Sequence, residues 1–383
     1  MWQSIKYGIL TLGSRRIYIF AMVFLPLLIC AFFLSLLNQG LPTRVPTAIV
    51  DLDHSPMSRA MTRSLDAEQL VHITEDCESY SEAMEAVRTG RVFGFYVIPA
   101  NFGADALAGR KPTIEYYANL TYFVPGTFSY KGYKTVAVGA ASSLVTQTAQ
   151  AVGVDGTTVE ALVRPVDLEF NALHNPGPDY SLYLTPSFMG GVMELMVVLV
   201  TIFSITYQIK NGTSRRWLAN SGGSILLALF GLLLPQTVVF TLVGWCCQSL
   251  MFGYCGFPLN CPLWVILLSM LLLVTASQAF GVFVASIMPN PRFGMSIGAL
   301  LSILAFSFTG FSFPVQDMYG AISVFSYIMP VRYYFLIHIT EALNGFPLYY
   351  ARLYFVALLL FPFVALLPVF HLKRACLRPV YVP

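Results

Sequence analysis

The sequence predicts an α-helical membrane protein: six transmembrane helices, an α+β extracytoplasmic domain inserted between spans one and two, and a re-entrant hairpin before span six. Three observations carry this expectation. Of 383 residues, 56% are hydrophobic and only 11% are charged, where a soluble domain has about 25% charged. The acidic residues are not spread along the chain, since sixteen of the nineteen fall between positions 41 and 183. Outside that stretch the basic residues gather in alternate connections between apolar runs, the pattern of cytoplasmic loops.

Residues 1–37 are read as a short cytoplasmic N-terminus followed by the first span. Lys6, Arg15 and Arg16 precede residues 17–37, a run of 21 without a charge, and about 20 apolar residues cross a hydrocarbon core. A cleaved signal peptide would have a shorter apolar region and a small-residue cleavage site. Here the run ends in Asn38-Gln39-Gly40, so an uncleaved anchor is expected.

Residues 38–183 are predicted to form one extracytoplasmic α/β domain, with ten of the twenty-two basic residues beside the sixteen acidic ones. Residues 45–51, 70–74, 92–98 and 113–117 have the aromatic and β-branched enrichment of strands. Ser55 with Pro56 opens a first helix, proline being tolerated where its missing N–H is unneeded. Ser79 to Glu82 reads as a capping box for a second helix that stops at Gly90. Residues 127–152 suit one long, weakly amphipathic helix.

Residues 184–383 are read as the remaining five spans, at 184–206, 224–247, 263–288, 295–313 and 353–370. The apolar stretch 319–329 is too short to cross and is broken by Pro330 and Arg332, which points to a re-entrant or interfacial segment over 314–350. Alternation from an inside N-terminus puts Lys6, Arg15, Arg16, Lys210, Arg215, Arg216, Arg292, Lys373, Arg374 and Arg378 in the cytoplasm, against only Arg332 and Arg352 in the short outer loops. Ten against two fixes the expected topology, with both termini cytoplasmic.

The polar turn at 207–223, basic and punctuated by glycine, is the most prominent connection on that side and the expected point of action of any external motor. Glu194, in the middle of the second span, needs neutralisation, pairing or water. Either a pathway role or an interhelical hydrogen bond answers that need, and Gly190 and Gly191 on the same face let another helix approach. Gly294, Gly298 and Ser302 form a small-residue seam suited to a second copy or to packing within one chain. Thr275, Ser277 and Gln278 either face a wet pathway or bond neighbouring helices.

Other candidates have plainer readings. Asp51, Asp53 and His54 offer metal-ligand chemistry but sit where a strand-end turn feeds a capped helix, so no metal is expected. Cys255 and Cys261 share an outer loop where a bridge or two free thiols are both open. His338 and Glu341 have no nucleophile or metal set in reach, and a place at the outer interface explains them. Asn119 to Thr121 fits a glycosylation sequon by chance. The chain has no G-x-x-x-x-G-K-[ST] phosphate loop, so it has no such means of using ATP and is not expected to be an enzyme.

Several strings carry a resemblance. Val45 to Arg59 and Gly90 to Phe102 in the inserted domain, and Gly310 to Pro314, Met318 and Met329-Pro330 in the membrane half, resemble the permease subunits of type 2 ATP-binding-cassette exporters, in the branch with a large extracytoplasmic domain after the first span. The likeness covers essentially the whole chain. In the turn, Gly212, Thr213 and Leu218 match the family, while Lys210, Arg215 and Arg216 stand where its acidic residues are usual. The resemblance implies a half-transporter in a bacterial inner membrane, exporting a lipophilic or drug-like substrate. It implies two permease chains, identical or paralogous, and separate ATPase subunits that bind ATP and Mg and dock on Lys210, Gly212, Thr213, Arg215, Arg216, Trp217 and Leu218. A periplasmic adaptor and an outer-membrane channel are further implied partners, nucleic acid is not, and no cofactor is expected on this chain. The same resemblance assigns Gly310, Pro314 and Pro330 to the re-entrant segment.

A membrane-anchored sensor with an extracytoplasmic ligand-binding domain is the alternative, although no inner segment is large enough for an output domain. An intramembrane lipid enzyme lacks a catalytic set, and a gradient-driven carrier would usually show duplicated halves.

Overall fold

The structure, a computed structural model, describes residues 1–38, 40, 44–108, 110, 112–121, 123–151, 179–310 and 313–378. The chain divides into two compact units, residues 1–40 with 172–383, and residues 41–171. The return to the first unit comes before position 183, because Asp179 already caps the second span: its Oδ1 accepts the Ser181 N–H at 2.7 Å.

The 41–171 unit is built on four strands, β1 (Val45–Asp51), β2 (Val71–Asp76), β3 (Gly94–Ile98) and β4 (Glu115–Ala118), in the order β2-β1-β3-β4. β1 pairs in parallel with both β2 and β3, and β4 closes the edge antiparallel. The crossovers are the helices the cap residues predict. Ser55 Oγ accepts the Ser58 N–H at 3.1 Å to start Pro56–Asp66, and Ser79 Oγ accepts the Glu82 N–H at 3.3 Å to start Tyr80–Arg88. The Glu82 carboxylate reaches back to the Glu78 N–H at 2.9 Å, one residue beyond the usual capping-box partner. β1 and β3 bury both faces, with Ala48, Val50 and Phe95 against one helix and Ile49, Tyr96 and Ile98 against the other. The helix Phe123–Ala151 packs on the second face through stacked rings, Tyr96 on Tyr133 and Tyr116 on Tyr133 at 5.4 Å each.

The expected metal-like cluster is a turn. Asp51 Oδ1 accepts the N–H groups of Asp53 and His54 at 3.0 and 3.1 Å, and Asp53 Oδ2 accepts that of Gly103 at 3.0 Å. The Ser55 hydroxyl, followed by the Gly103 amide, holds the Asp53 carboxyl below its usual range.

In the other unit, six described helices are long and apolar enough to cross a membrane: Arg16–Leu36, Ser181–Lys210, Ile225–Tyr254, Leu263–Ile287, Pro291–Phe308 and Leu348–Leu377. Pro26 cannot donate to the fourth carbonyl before it, and the first span widens into a π-turn at Phe20–Phe24 just ahead of it. The fifth span departs from the expected 295–313. It begins at Pro291, where Asn290 caps the helix by accepting the Arg292 N–H at 2.9 Å, and it ends before Gly310, whose φ of +103° no helix allows. The last span runs to Leu377 with a break between Ala365 and Val369. Between these two, the helices Gly320–Ser326 and Pro330–Leu343 meet at a bend of 77°.

The second and fourth spans are buried over most of their length and form the centre of this unit. Small residues set the close approaches: Gly281 lies against Thr201, Gly244 against Met270, and Gly294 and Gly298 against Ile202. An element not expected from the sequence, the helix Trp2–Gly13, packs across the third span. Pro235 leaves the carbonyl of Gly231 without its helical donor, and that carbonyl faces Gly8; a methyl group at Gly8 would strike Gly231 O, and one at Gly231 would strike Ser4.

Candidate functional site

The second span ends at Lys210, and Gly212, at φ +68°, turns the chain out of the helix with its N–H on Ile209 O at 3.1 Å. A short helix, Ser214–Ala219, follows. Two further left-handed glycines, Gly222 and Gly223, then redirect the chain into the third span, with the Gly223 N–H on Leu218 O at 2.9 Å. Only glycine adopts these three conformations without steric cost, so the hairpin shape is written into the sequence.

Hydrogen bonds bind the turn to what lies around it. Trp217 Nε1 donates to Ala228 O at 3.2 Å, Ser214 Oγ to Cys376 O at 2.8 Å and Arg215 Nε to Leu377 O at 3.0 Å. Gln208 Oε1 accepts from Thr213 Oγ1 at 2.6 Å and from Tyr7 Oη at 2.7 Å, and the Ser4 and Ser221 hydroxyls meet at 2.9 Å. The Arg15 guanidinium lies 4.0 Å over the Tyr207 ring, a cation–π contact. Burial pushes the Tyr7 phenol above its ordinary range, opposed by its hydroxyl and amide partners and by Arg216.

Two of the expected docking residues are thereby corrected. Trp217 and Leu218 are buried, at 1% and 3% exposure, and cannot offer a surface to a partner. An indole has a large apolar body and one donor, and here both are satisfied inside the unit. Lys210, Gly212, Thr213, Arg215 and Arg216 are exposed. The Trp2–Gly13 helix, the turn, the end of the fourth span with the fifth that follows it, and the last helix meet at one end, since His371 Nδ1 also contacts Ser286 O at 2.6 Å. Seven of the ten expected cytoplasmic cations lie on these segments, while Arg15 and Arg16 stand at the junction of the first helix with the first span and Arg378 at the end of the last helix. Behind the turn is a cavity of about 580 Å³ between the Trp2–Gly13 helix and the end of the second span, with Lys6, Arg15 and Arg216 and no acidic residue in its lining.

The intramembrane candidates lie elsewhere in the same unit. Glu194 is buried, and its Oε2 accepts the Val331 N–H at 2.6 Å. The Tyr334 ring lies over Gly190, and Phe306 over Gly191. Pro330 opens the helix that Glu194 caps. Arg332 Nη1 donates to Thr309 O at 2.8 Å and lies beside Gly310. Pro314 precedes a single 3-10 turn, Val315–Asp317; residues 311 and 312 of the expected family string lie outside the described residues. Gln278 joins the fourth span to the third, accepting from Thr237 Oγ1 at 2.8 Å and donating to Leu233 O at 3.3 Å. The Gly294–Gly298 seam is filled by Ile202 of the same chain. His338 and Glu341 lie in the π-turn His338–Leu343 with their side chains buried within the unit. Cys255 and Cys261 are free thiols, and burial pushes Cys261 up to about 11. Among the described residues no His, Cys, Asp or Glu group has metal-site geometry.

The Trp2–Gly13 helix is the part of the site that sequence reading missed. Its signal was the pair of small residues Ser4 and Gly8, one turn apart and both buried.

Residues 16–370 match the model of the family described as ABC-2 family transporter protein. The chain belongs to the ABC-2 transporter family. Two curated relatives share the name inner membrane transport permease YhhJ, one from Escherichia coli (strain K12) and one from Shigella flexneri. Each is 23% identical over 297 residues, 76% of this chain and 74% of the relative. This ABC-2 protein is thus a multi-pass membrane transport permease, of a family that works with an ATPase subunit. The match spans the turn and the Glu194–Val331 contact, and it begins after the Trp2–Gly13 helix.

Proposed function

We propose that this ABC-2 permease exports a lipophilic or drug-like substrate, driven by a separate ATPase subunit that docks on the exposed rim of the 207–223 turn, Lys210, Gly212, Thr213, Arg215 and Arg216. The observation that carries this reading is the anchoring of the turn. Trp217 on Ala228 O, Ser214 on Cys376 O and Tyr7 on Gln208 join it to the third span, the last helix and the first helix. A push on such a turn is transmitted to several helices at once, as a coupled two-state element requires.

In this reading the basic end of the membrane unit faces the cytoplasm of a bacterial inner membrane, with both termini, and the 41–171 unit faces the other side, where an adaptor and an outer-membrane channel would meet it. A second copy or a paralogue completes the route, the bent pair Gly320–Ser326 and Pro330–Leu343 is re-entrant, and ATP and Mg reside on the partner. The test is copurification of the ATPase with the full-length chain. Arg215→Glu with Arg216→Glu is expected to abolish ATPase retention while the permease remains folded, and labelling of a Lys210→Cys variant is expected only from the cytoplasmic side. Retention of the ATPase by the double variant, or labelling from outside, overturns the reading.

A further inference from the structure

We propose that the cavity behind the turn is a binding site for the phosphate headgroup of an anionic phospholipid, and that a bound lipid wedges between the first helix and the end of the second span. The cavity, about 580 Å³, is of the size that holds small ligands, roughly 300–1,000 Å³. Its lining has three cations, Lys6, Arg15 and Arg216, and no carboxylate. All ion pairs among the described residues lie in the 41–171 unit, so none of the three is neutralised by a side chain. Arg15 spends the face of its guanidinium on Tyr207, which leaves its N–H edge for an oxygen ligand. Gln3 and Asn211 add neutral polar groups to the lining.

The surroundings favour a lipid over an acidic protein segment. The helix that forms one wall exposes Trp2, Ile9 and Leu10, at 74%, 54% and 63%, the profile of a helix lying in a membrane interface. Leu10 belongs to the cavity lining itself, as does Tyr18 of the first span, and that span exposes Ile17, Ile19 and Phe20 beside it. A ligand there meets cations at one end and membrane-facing apolar surface at the other, which matches a phospholipid. Basic pockets between transmembrane segments hold anionic headgroups for this reason. The inference does not depend on ATPase docking, and its test contains no ATPase.

The test uses the full-length chain purified in a neutral detergent, with lipid retention read by native mass spectrometry and binding by thermal shift. The probes are phosphatidylglycerol, phosphatidylcholine, inorganic phosphate and a polyglutamate peptide. Phosphatidylglycerol is expected to be retained in preference to phosphatidylcholine. The Lys6→Gln/Arg216→Gln variant, in which both substituted side chains are exposed, is expected to bind it about ten- to thirtyfold more weakly, for two charges lost near the surface. Lys373→Gln/Arg374→Gln removes the same charge outside the cavity and is expected to change binding less than about threefold. Inorganic phosphate protecting as well as the lipid would support the phosphate site and make its source a free anion. Equal weakening in both double variants, no preference between the lipids, or tighter binding of polyglutamate than of lipid would overturn the proposal.

Discussion

The carboxylate of Glu194, in the middle of the second span, accepts the backbone N–H of Val331 at 2.6 Å, and so caps a helix 137 residues further along the chain. That helix opens with Pro330, so Val331 supplies one of the first N–H groups that no helical carbonyl reaches. Of the two readings the sequence left open for Glu194, a pathway role or an interhelical hydrogen bond, the second has its partner here.

Glu194→Gln keeps an acceptor oxygen and is expected to retain near-normal folding, whereas Glu194→Ala leaves a buried N–H unpaired. The second change is expected to cost about 1–3 kcal/mol, read as a lower thermal midpoint of the purified chain. A transport defect in Glu194→Gln at unchanged stability would restore a pathway role.

Trp217 and Arg215 are separable. Trp217→Ala removes a large buried ring and is expected to destabilise the chain by about 3–5 kcal/mol, while Trp217→Phe, which loses chiefly the bond to Ala228 O, costs about 1 kcal/mol. Arg215→Gln, on the surface, is expected to stay within about 0.5 kcal/mol and to show its effect in ATPase retention. Thermal melts of the three variants, beside copurification, check this.

Gly231→Ala is expected to lift the Trp2–Gly13 helix, because the added methyl group meets the Ser4 backbone and side chain. Overpacking of this kind costs about 1–3 kcal/mol. Faster hydrogen exchange in residues 2–13, with the sixth span unchanged, is the expected signature.

Asp66 sits below the ordinary carboxylate range, held there first by the Ile73 N–H at 2.9 Å and then by His72 at 3.1 Å. A depressed carboxyl stabilises the fold above its unfolded pKa, and that contribution is lost as pH falls through the folded one. Protection of the Ile73 amide in the full chain, the unstructured exchange rate relative to its own at the same pH, is therefore expected to fall on acidification below the ordinary Asp range, and Asp66→Asn is expected to show lower protection at neutral pH with a smaller acid response.

The spans and the inserted sheet were legible because their signals are local. A charge-free run, a serine ahead of Pro56, and Ser79 three residues before Glu82 each act within one or two turns of chain. The start of the fifth span was equally local in Asn290-Pro291, but an apolar-run reading passes over it, since Arg292 interrupts hydropathy without interrupting a helix. What could not be read is which face of a helix meets which neighbour. Trp217 lies among exposed cations in sequence, yet its indole is buried and donates to Ala228 O. The Gly294–Gly298 seam would serve a second copy equally well, and only the fold shows Ile202 in it. The cavity needs Lys6, Arg15 and Arg216 together, and no spacing rule connects positions so far apart.

The crossing of Gly8 over Gly231 makes the first thirteen residues a working part of the molecule. Ser4 and Tyr7 are also tied to the turn, so if the helix lies in the headgroup layer, as proposed above, a tilt of that hairpin would drag it through that layer. The stiffness and lateral tension of the surrounding bilayer would then be part of the load on the proposed ATPase.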